Sequence, residues 1–577
     1  MERNTRMPEL AEFGFALLML LGVVLAVVGA AAELSGFLVS GHWPKFKDGP
    51  LTVGATVLSH PYDPTSIWRT AGIRPVPPAW LVWAMAGLVV ISSITVVLLA
   101  RRWLRSNGSS KRHMRHNGFA SSNAVRKTLG DRATHRKDEP KETFNTVAVL
   151  NGLDLGCDRA DGQRIVARSE DSTIVSGASR SGKTSGLLIP NVVLWKGSSI
   201  VTSTRPELYN LTAALRPKSV LFDPTEFVPG ANRISWSPVE ACIDPLQARL
   251  RARSLMLDSG AGKGVTNGNY FEARGTILLR CLLHAAALTG GDMRTVLEWV
   301  ALRDGNEPMR ALATSPTVPE WANQIRGFQN TPPRELASTY NGVEIALDAF
   351  SDPRVLRACC PTSGTGFDML TAIREGTTAY ICGEAQSNQA LAAVFAAFVE
   401  NWVDVARHEA AASPTGMLTL PTALFLDEAA QIAPLPSLPE VLSDGGGCGI
   451  MTVVVLQSLD HAKDRWGDRR AQKMWNAASV KVVLGGGTDD HELEMVSRLC
   501  GEIDEDVRST THSEGHSAET LSHRRRRVIE AGAIRALPEG EAIVLYRRNA
   551  PIRTHLIPWW DRKMRAIIEA AKAKRAA

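Results

Sequence analysis

The chain has 577 residues, with 65 Lys and Arg against 59 Asp and Glu, and 44% of its residues are hydrophobic. It is too long for one ordinary domain and too apolar for an intrinsically disordered chain, so about two to four domains are expected. A formal net charge of +6 permits a polyanionic partner without requiring one, and the absence of a CxxC pair among eight cysteines favours a reducing compartment.

Two uncharged stretches near the N-terminus are each long enough to cross a membrane. Residues 13–32 contain 20 residues without a charge, and a helix of that length crosses a hydrocarbon core of roughly 30 Å. A second uncharged stretch covers residues 79–100, and Trp80 and Trp83 stand where interfacial aromatic residues are common. We therefore predict a membrane anchor over residues 1–105 with two transmembrane helices. A cleaved signal peptide is the alternative for the first stretch, but the second would still anchor the chain.

Basic residues follow the second predicted span and set its orientation. Between the second predicted span and the next acidic residue, Asp131, the chain carries Arg101, Arg102, Arg105, Lys111, Arg112, Arg115, Arg126 and Lys127. This excess predicts a multi-pass protein of the cell (inner or plasma) membrane with a cytoplasmic C-terminal part. Residues 106–144 are interpreted as a polar basic linker near anionic lipid headgroups, and contact with DNA is the alternative.

A phosphate-binding motif occupies residues 177–184, where GASRSGKT matches GxxxxGK[ST] in full after the β-branched run 173–175. In such loops backbone amides wrap the phosphates, the lysine supplies a cation to the β and γ groups, and the hydroxyl binds Mg²⁺. We predict ATP and Mg²⁺ as cofactors, Lys183 as a catalytic cation and Thr184 as a metal ligand. The predicted nucleotide-binding residues are Gly177, Ser179, Arg180, Ser181, Gly182, Lys183, Thr184 and Ser185. Coincidence is the alternative, and it is expected in about one or two unrelated chains in a hundred.

Helix-favouring sequence dominates residues 242–361. The stretches 244–257 and 270–288 lack β-branched runs, which predicts a mostly helical insertion. Arg249, Arg251 and Arg253 are interpreted either as facing a substrate or, more commonly for such residues, as part of a solvated face.

An acidic pair ends a second apolar run, at residues 423–426. Asp427 and Glu428 follow this run directly, as expected where a buried parallel strand meets its loop beside a phosphate site. We predict that Asp427 holds Mg²⁺ and that Glu428 orients the attacking water. A plain strand end is the alternative for the pair alone, and the phosphate motif favours the functional interpretation.

A third apolar run, residues 450–456, closes on Gln457. A glutamine at the end of a strand beside the acidic strand can hydrogen-bond the γ-phosphate or the attacking water, so Gln457 is predicted to be catalytic. A polar strand terminus is the alternative.

The remaining sequence predicts further strands at 377–383, 480–484 and 542–546, and therefore a largely parallel sheet covered on both faces. The basic cluster Arg524–Arg527 is interpreted either as lining a DNA pore or as a solvated loop. The tail 559–577 predicts an amphipathic helix.

Several stretches beyond the phosphate motif resemble the type IV coupling proteins, the conjugative ATPases of the inner membrane, and among them the actinobacterial branch. These stretches are IPN at 189–191, TSTRPELYNLTAALR at 202–216, FDP at 222–224, LDEAAQIAPLPSLPEVLSDGGGCGI at 426–450, QSLDHAKDRWG at 457–467 and NAASVKVVLGGGTDDHELEMVSRLCGE at 476–502. The resemblance covers nearly the whole chain and is weakest at 242–361.

The resemblance implies an α/β fold, with a RecA-like P-loop ATPase domain over residues 145–241 and 362–577 that is interrupted by the helical insertion 242–361. It also implies a homo-hexamer in the membrane, with DNA and a relaxase or a secreted protein as cargo and with the proteins of a type IV secretion channel as partners. The sequence departs from the family at two places. Arg205 stands in STRPE where many members have a lysine, and 445–447 are glycines where many members carry an arginine that acts across the subunit boundary.

The function expected from these features is ATP hydrolysis coupled to recruitment and translocation of relaxase-bound DNA, or protein, into a secretion or conjugation channel. A double-stranded DNA pump and a protein-secretion ATPase are the alternatives that share the site chemistry. A substrate-docking receptor that uses nucleotide as an assembly switch is the alternative of another class.

Overall fold

The computed structural model describes residues 7–44, 46, 49–107, 118–130, 152–256, 268–362, 364–383, 388–513 and 516–576. The chain divides into two compact units, Met1–Arg112 and His113–Ala577.

The first unit is helical. Its elements are α1 (Met7–Ser40), α2 (Pro50–Ser59), α3 (Ser66–Thr70) and α4 (Ala79–Asn107). Helices α1 and α2 approach each other closely at two glycines, since a Cβ on Gly29 would lie 2.0 Å from the Pro50 carbonyl oxygen and one on Gly54 would lie 2.0 Å from that of Leu25. Trp68 is fully buried in this unit.

The predicted spans 13–32 and 79–100 fall within α1 and α4, and part of each span lies outside the residues whose side chains are described. Among the described residues, no helix combines the length and the apolar character needed to cross a membrane.

The second unit is built on a sheet that has eleven strands in the described part of the chain. The strands are β1 (Gly152–Asp158), β2 (Arg164–Arg168), β3 (Thr173–Ser176), β4 (Ser198–Ser203), β5 (Ser219–Phe222), β6 (Thr378–Cys382), β7 (Thr422–Leu426), β8 (Ile450–Leu456), β9 (Val480–Leu484), β12 (Glu541–Tyr546) and β13 (Ile552–His555). Their spatial order is β2-β1-β13-β12-β9-β3-β8-β7-β4-β6-β5.

Seven neighbouring strands of this sheet, from β9 to β5, are parallel, and the four from β2 to β12 are antiparallel. Successive residues of β3 point to opposite faces, because Ile174 and Val175 belong to different core clusters, and both are buried. The sheet is therefore covered on both faces, as predicted. The antiparallel strands β1, β2 and β13 were not predicted.

Helices of the second unit pack on both faces of the sheet and form most of the described chain between β5 and β6. They are α5 (Ser122–Thr128), α6 (Ile189–Leu194), α7 (Pro206–Thr212), α8 (Pro245–Met256), α9 (Gly268–Thr289), α10 (Met293–Leu302), α11 (Asn306–Ala313), α12 (Trp321–Gln329), α13 (Pro333–Ala346), α14 (Pro353–Ala358), α15 (Met369–Arg374), α16 (Asn388–Ala412), α17 (Ala429–Ile432), α18 (Leu438–Cys448), α19 (Leu459–Trp466), α20 (Asp468–Ala477), α21 (Asp490–Leu499), α22 (Ala531–Arg535) and α23 (Met564–Ala576). The helices predicted at 244–257 and 270–288 correspond to α8 and α9.

Arg251 in α8 faces neither a substrate nor solvent. Its side chain is 3% exposed, donates hydrogen bonds to the Ala397 carbonyl and to Asn401 Oδ1, and lies over the ring of Trp236. The guanidinium therefore ties α8 to α16 within the core.

Two further strands, β10 (Glu502–Ser513) and β11 (His516–Arg527), form a separate antiparallel hairpin. Twelve residues per strand give it a length of about 40 Å. The interpretation of the basic cluster 524–527 as a solvated loop is therefore wrong, because these residues belong to a strand. Three of these four arginines form ion pairs within the chain: Arg525 with Asp504, Arg526 with Glu505 at 2.9 Å, and Arg527 with Glu494 at 2.6 Å.

Residues 118–130, which the sequence analysis places in a linker, pack on the second unit. Leu129 is fully buried, and its carbonyl accepts the Val166 amide at 2.7 Å. Gly118 lies against the base of the hairpin, where an added Cβ would come within 2.7 Å of Ile503 and 2.5 Å of Val528. The parts of the predicted linker at 108–117 and 131–144 lie outside the described residues.

Candidate nucleotide site

The phosphate motif forms the loop between β3 and a π-helical turn, Lys183–Leu188, that leads into α6. Two of its residues have left-handed backbones, Gly182 with φ of 91° and Arg180 with φ of 63°. Gly182 also approaches another part of the backbone, since a Cβ there would lie 3.3 Å from the Gly540 Cα. Single π-helical turns are rare and are found mostly at functional sites.

Lys183 is 8% exposed, and its ammonium group is turned onto its own loop. Nζ donates to the carbonyl of Gly177 and, at 2.8 Å, to that of Ala178. Burial lowers the pKa of Lys183, and the carboxylates of Asp427 and Glu428 act in the opposite direction. The lysine therefore lies within electrostatic range of both predicted acidic residues.

Asp427 and Glu428 emerge from the carboxyl end of β7, whose five residues are all buried. Asp427 is 7% exposed, and its carbonyl accepts the Thr202 hydroxyl at 2.9 Å, which joins the end of β7 to β4. Burial, and then the Glu428 carboxylate, raise the pKa of Asp427 to about 7, while Lys183 acts to lower it. Glu428 has a left-handed backbone with φ of 48°, which costs free energy in a residue with a side chain.

Gln457 follows β8, the strand that lies between β3 and β7 in the sheet. Its Nε2 donates to Glu428 Oε1 at 3.3 Å. The structure therefore brings Lys183, Asp427, Glu428 and Gln457 together at the carboxyl edge of the parallel strands.

The other residues predicted to bind nucleotide line the same loop. Ser179 and Arg180 are exposed, whereas Thr184 and Ser185 are half-buried at the start of the π-helical turn. Gly177 is buried and its amide bonds the last carbonyl of β8 at 3.3 Å. The Ser181 hydroxyl is buried without a hydrogen-bond partner among the described residues.

These features fit a magnesium nucleotide. Hard oxygen ligands for Mg²⁺ are present in the Thr184 hydroxyl and the Asp427 carboxylate. Two donors are present for phosphate oxygens. Among the described residues, the Ser181 hydroxyl has no hydrogen-bond partner, and the Lys183 ammonium donates to carbonyls of its own loop.

The C-terminal part of the chain also supports the phosphate loop, which sequence analysis did not predict. The Gly540 amide donates to the Ser181 carbonyl at 3.2 Å. Arg562 bonds the buried Asp154 at 2.6 Å and the Gly186 carbonyl at 3.4 Å. No local sequence pattern indicates these contacts, because their partners are hundreds of residues apart and meet only through β12 and β13.

The structure describes both positions at which the sequence departs from the family pattern. Arg205 follows β4, next to the acidic strand, and acts to lower the pKa of Asp427. The glycines at 445–447 form the last turn of α18.

A mixed sheet whose parallel strands carry a phosphate loop beside two carboxylates and a glutamine is the fold of a RecA-like P-loop protein. Residues 110–290 match a family model described as type IV secretory system conjugative DNA transfer, and residues 421–539 match one described as the TraM recognition site of TraD and TraG. The chain belongs to the family of type IV coupling proteins.

The sequence identity to individual curated relatives is low. The probable conjugal transfer protein TraG of Sinorhizobium fredii is 22% identical, over 68% of this chain and 62% of its own. VirD4 of Rhizobium radiobacter is 20% identical, over 71% of this chain and 60% of its own. The chain thus spans 62% and 60% of the length of these two curated relatives.

The fold is similar to that of the bacterial conjugative coupling protein TrwB. Its unbound form aligns with a TM-score of 0.55 and 21% identity, over 74% of this chain and 90% of that one. Structures of TrwB with the ATP analogue ADPNP and with ADP and Mg²⁺ align with TM-scores of 0.54 and 0.52 and identities of 20% and 19%, over 76% of this chain and 92% and 93% of theirs.

Proposed function

We propose that this protein hydrolyses ATP and uses the free energy to move relaxase-bound DNA, or protein, into a type IV secretion or conjugation channel. The observation that carries the proposal is the convergence of Lys183, Asp427, Glu428 and Gln457 at one edge of the sheet. Family membership supports the conjugative cargo, and the TrwB complexes support a bound nucleotide with Mg²⁺.

Each residue has a distinct role in this proposal. Lys183 would exchange its loop carbonyls for phosphate oxygens. Thr184 and Asp427 would hold Mg²⁺, which when bound neutralises charge on the phosphates. Glu428 orients the attacking water. Gln457 donates a hydrogen bond to Glu428 in this structure. When the γ-phosphate is bound, Gln457 would hydrogen-bond it, and the loss of that bond on hydrolysis would then shift α19, the helix that follows Gln457. Gly177, Ser179, Arg180, Ser181, Gly182 and Ser185 line the phosphates.

We further propose that the protein acts as a homo-hexamer in the cell membrane. The uncharged stretches 13–32 and 79–100 would anchor it, and the basic residues after the second stretch would keep the second unit in the cytoplasm. Its partners would be the relaxase or a secreted protein and the proteins of the channel.

The test is ATP hydrolysis by the full chain with and without single-stranded and duplex DNA. We expect stimulation by DNA, and a loss of roughly 100-fold or more in Lys183→Ala and Glu428→Gln, because each removes a group that acts on the transition state. Stimulation by duplex DNA alone would favour a double-stranded DNA pump, and no stimulation by either form would favour a protein-secretion ATPase.

Transfer in cells separates hydrolysis from a nucleotide switch. Both variants should abolish transfer while the protein still inserts into the membrane. Normal transfer by Glu428→Gln would contradict an ATP-driven motor and favour the docking receptor.

A further inference from the structure

Glu492 is a buried carboxylate near the phosphate loop, and it has no role in the hydrolysis mechanism proposed above. Glu492 lies in the first turn of α21 and is 5% exposed. Asp489 caps this helix, since its Oδ1 accepts the Glu492 amide at 3.1 Å. A glutamate three residues after a cap commonly bonds back to the amide of the cap residue. Glu492 instead reaches another helix, because its Oε2 accepts the Leu459 amide at 2.9 Å.

The Leu459 amide is the first of α19, the helix that begins two residues after Gln457. The first amides of a helix have no partner within that helix, so the carboxylate supplies the acceptor that α19 itself lacks. Ser458, which precedes α19, makes no side-chain capping bond. Glu492 is therefore the group that fixes the turn between Gln457 and α19.

The same carboxylate borders the strand that carries the phosphate loop. A cavity of ≈ 10 Å³, the size that holds a single water, is lined by Glu492, Asp489, Ser176, Gly177, Gln457 and Ser458. Ser176 and Leu456 are register partners at the ends of β3 and β8. Glu492 thus lies at the junction of the strand that opens the phosphate loop and the strand that carries Gln457.

This arrangement costs free energy. Glu492 Oε1 is buried without a hydrogen-bond partner among the described residues, as is Asp489 Oδ2. An unsatisfied buried carboxylate oxygen is destabilising, and such groups are concentrated at functional sites. Burial raises the pKa of Glu492, while the adjacent Ser176 hydroxyl and the Leu459 amide counteract that rise.

We propose that Glu492 is a positioning residue for ATP hydrolysis, which holds the Gln457 turn in register with the phosphate loop through its bond to the Leu459 amide. The inference rests on the proposed ATPase function. Glu492 touches neither the nucleotide nor the attacking water in this scheme, because it acts through Gln457, whose amide reaches Glu428. Its loss should therefore affect the hydrolysis step and leave nucleotide binding intact.

Steady-state hydrolysis by the full chain, together with ADP binding, tests this inference. In Glu492→Leu, which removes the acceptor, we expect kcat to fall roughly ten- to a hundredfold while KM for ATP and the Kd for ADP stay within about twofold. Glu492→Gln keeps an acceptor oxygen for the Leu459 amide and should retain kcat within about threefold. Glu494→Leu is the matched control, since it makes the same change on the same helix at a side chain that is 42% exposed, and it should leave kcat unchanged.

Leu459→Pro removes the same hydrogen bond from the donor side and keeps the experiment decisive if Glu492→Leu does not fold. Proline is favoured at the first position of a helix, and Ser458 has the extended backbone, with φ of −155° and ψ of 165°, that a residue before proline requires. We expect the same fall in kcat with unchanged ADP binding.

A wild-type kcat in Glu492→Leu or in Leu459→Pro would overturn the inference. So would equal losses of kcat and ADP affinity in these variants, which would indicate a purely structural role. Absence of hydrolysis in the wild-type chain would instead contradict the proposed function itself.

Discussion

Arg180 and Glu428 hold left-handed backbone conformations in the nucleotide site, with φ of 63° and 48°. Non-glycine residues adopt this region only at a cost in free energy, and the surrounding structure must maintain it. Asp427 adds a buried carboxylate whose ionised form is disfavoured. The site therefore contains residues in energetically unfavourable states. A bound cation would stabilise the ionised Asp427 carboxylate.

Asp427 should make the nucleotide-free protein less stable as the pH rises. Its pKa rises from 3.8 in the unfolded chain to about 7 in the fold, so the charged form opposes folding. We expect Asp427→Asn to unfold at a higher temperature than wild type at about pH 8, and this advantage to shrink by roughly 1.4 kcal/mol per pH unit below about pH 7. Thermal unfolding without nucleotide measures the difference.

Asp460→Asn is the control for this measurement. Lys463 lowers the pKa of the exposed Asp460, so its ionised form favours folding and its removal should give no stabilisation at high pH. A pH-independent difference between Asp427→Asn and wild type would contradict the expectation.

Gly182→Ala should impair nucleotide binding. The added methyl group would combine a positive φ with close contact to Gly540, and we expect a cost of about 1–3 kcal/mol together with weaker ADP binding. Gly162→Ala is the matched control, because Gly162 also has a positive φ, of 71°, but nothing lies within 4 Å of an added Cβ. It should lose stability and keep wild-type ADP affinity; equal ADP affinities in the two variants would count against the proposed loop geometry.

Two segments have a structure that differs from the one predicted from the sequence. The polar stretch after Gly501 forms a long hairpin whose basic residues at its base are paired with acidic residues of the same chain. Paired arginines attract phosphates less than free ones, so the basic cluster alone is a weak argument for a DNA contact. The segment 118–130 is the second such element, since it packs against strand β2 of the second unit.

Leu129→Ala tests whether segment 118–130 belongs to the folded core. Leu129 is fully buried, and truncation of such a side chain costs about 2–5 kcal/mol. Urea unfolding of the full chain should show this loss, and the exposed neighbour Lys127→Ala should change stability by less than about 0.5 kcal/mol. Equal stability of both variants would indicate that the segment is only a linker.

The sequence predicted five of the seven parallel strands, β3, β6, β7, β8 and β9, and the candidate site residues that follow three of them, because both have local signals. The parallel strands β4 and β5 were not predicted. Buried parallel strands are continuous apolar runs, as in Ile450–Leu456, and the functional side chains follow them directly. β1 was missed because GLDLGCD contains two glycines and two aspartates, which have low strand propensity. Glu492 was missed because its partner, the Leu459 amide, is 33 residues away in sequence.

At the scale of the whole molecule, the nucleotide site depends on both ends of the second unit. Asp154 and Arg562 are 408 residues apart in sequence and meet behind the phosphate loop. The parallel strands place the candidate catalytic residues at one edge of the sheet. The antiparallel strands β12 and β13 bring the C-terminal segment back to the phosphate loop. We therefore expect formation of the site to require the fold of the whole unit.

Hydrolysis should depend on assembly. Many family members carry, near this point, an arginine that acts across the subunit boundary, whereas residues 445–447 in α18 are glycines. In the proposed hexamer, a cation from a neighbouring subunit would therefore come from another position. We expect weak activity at low protein concentration and a rise as hexamers form on DNA, measured by hydrolysis rate alongside molecular mass. Strong hydrolysis by a demonstrated monomer would contradict this expectation.

The most direct test of the account is a structure of the protein with a non-hydrolysable ATP analogue and Mg²⁺. We expect one Mg²⁺ about 2.1 Å from Thr184 Oγ1, with Asp427 bound to it directly or through one water. Lys183 Nζ should have left the carbonyls of Gly177 and Ala178 for the phosphates. A metal ion out of reach of either Thr184 or Asp427, or a lysine still bound to its own loop, would contradict the account.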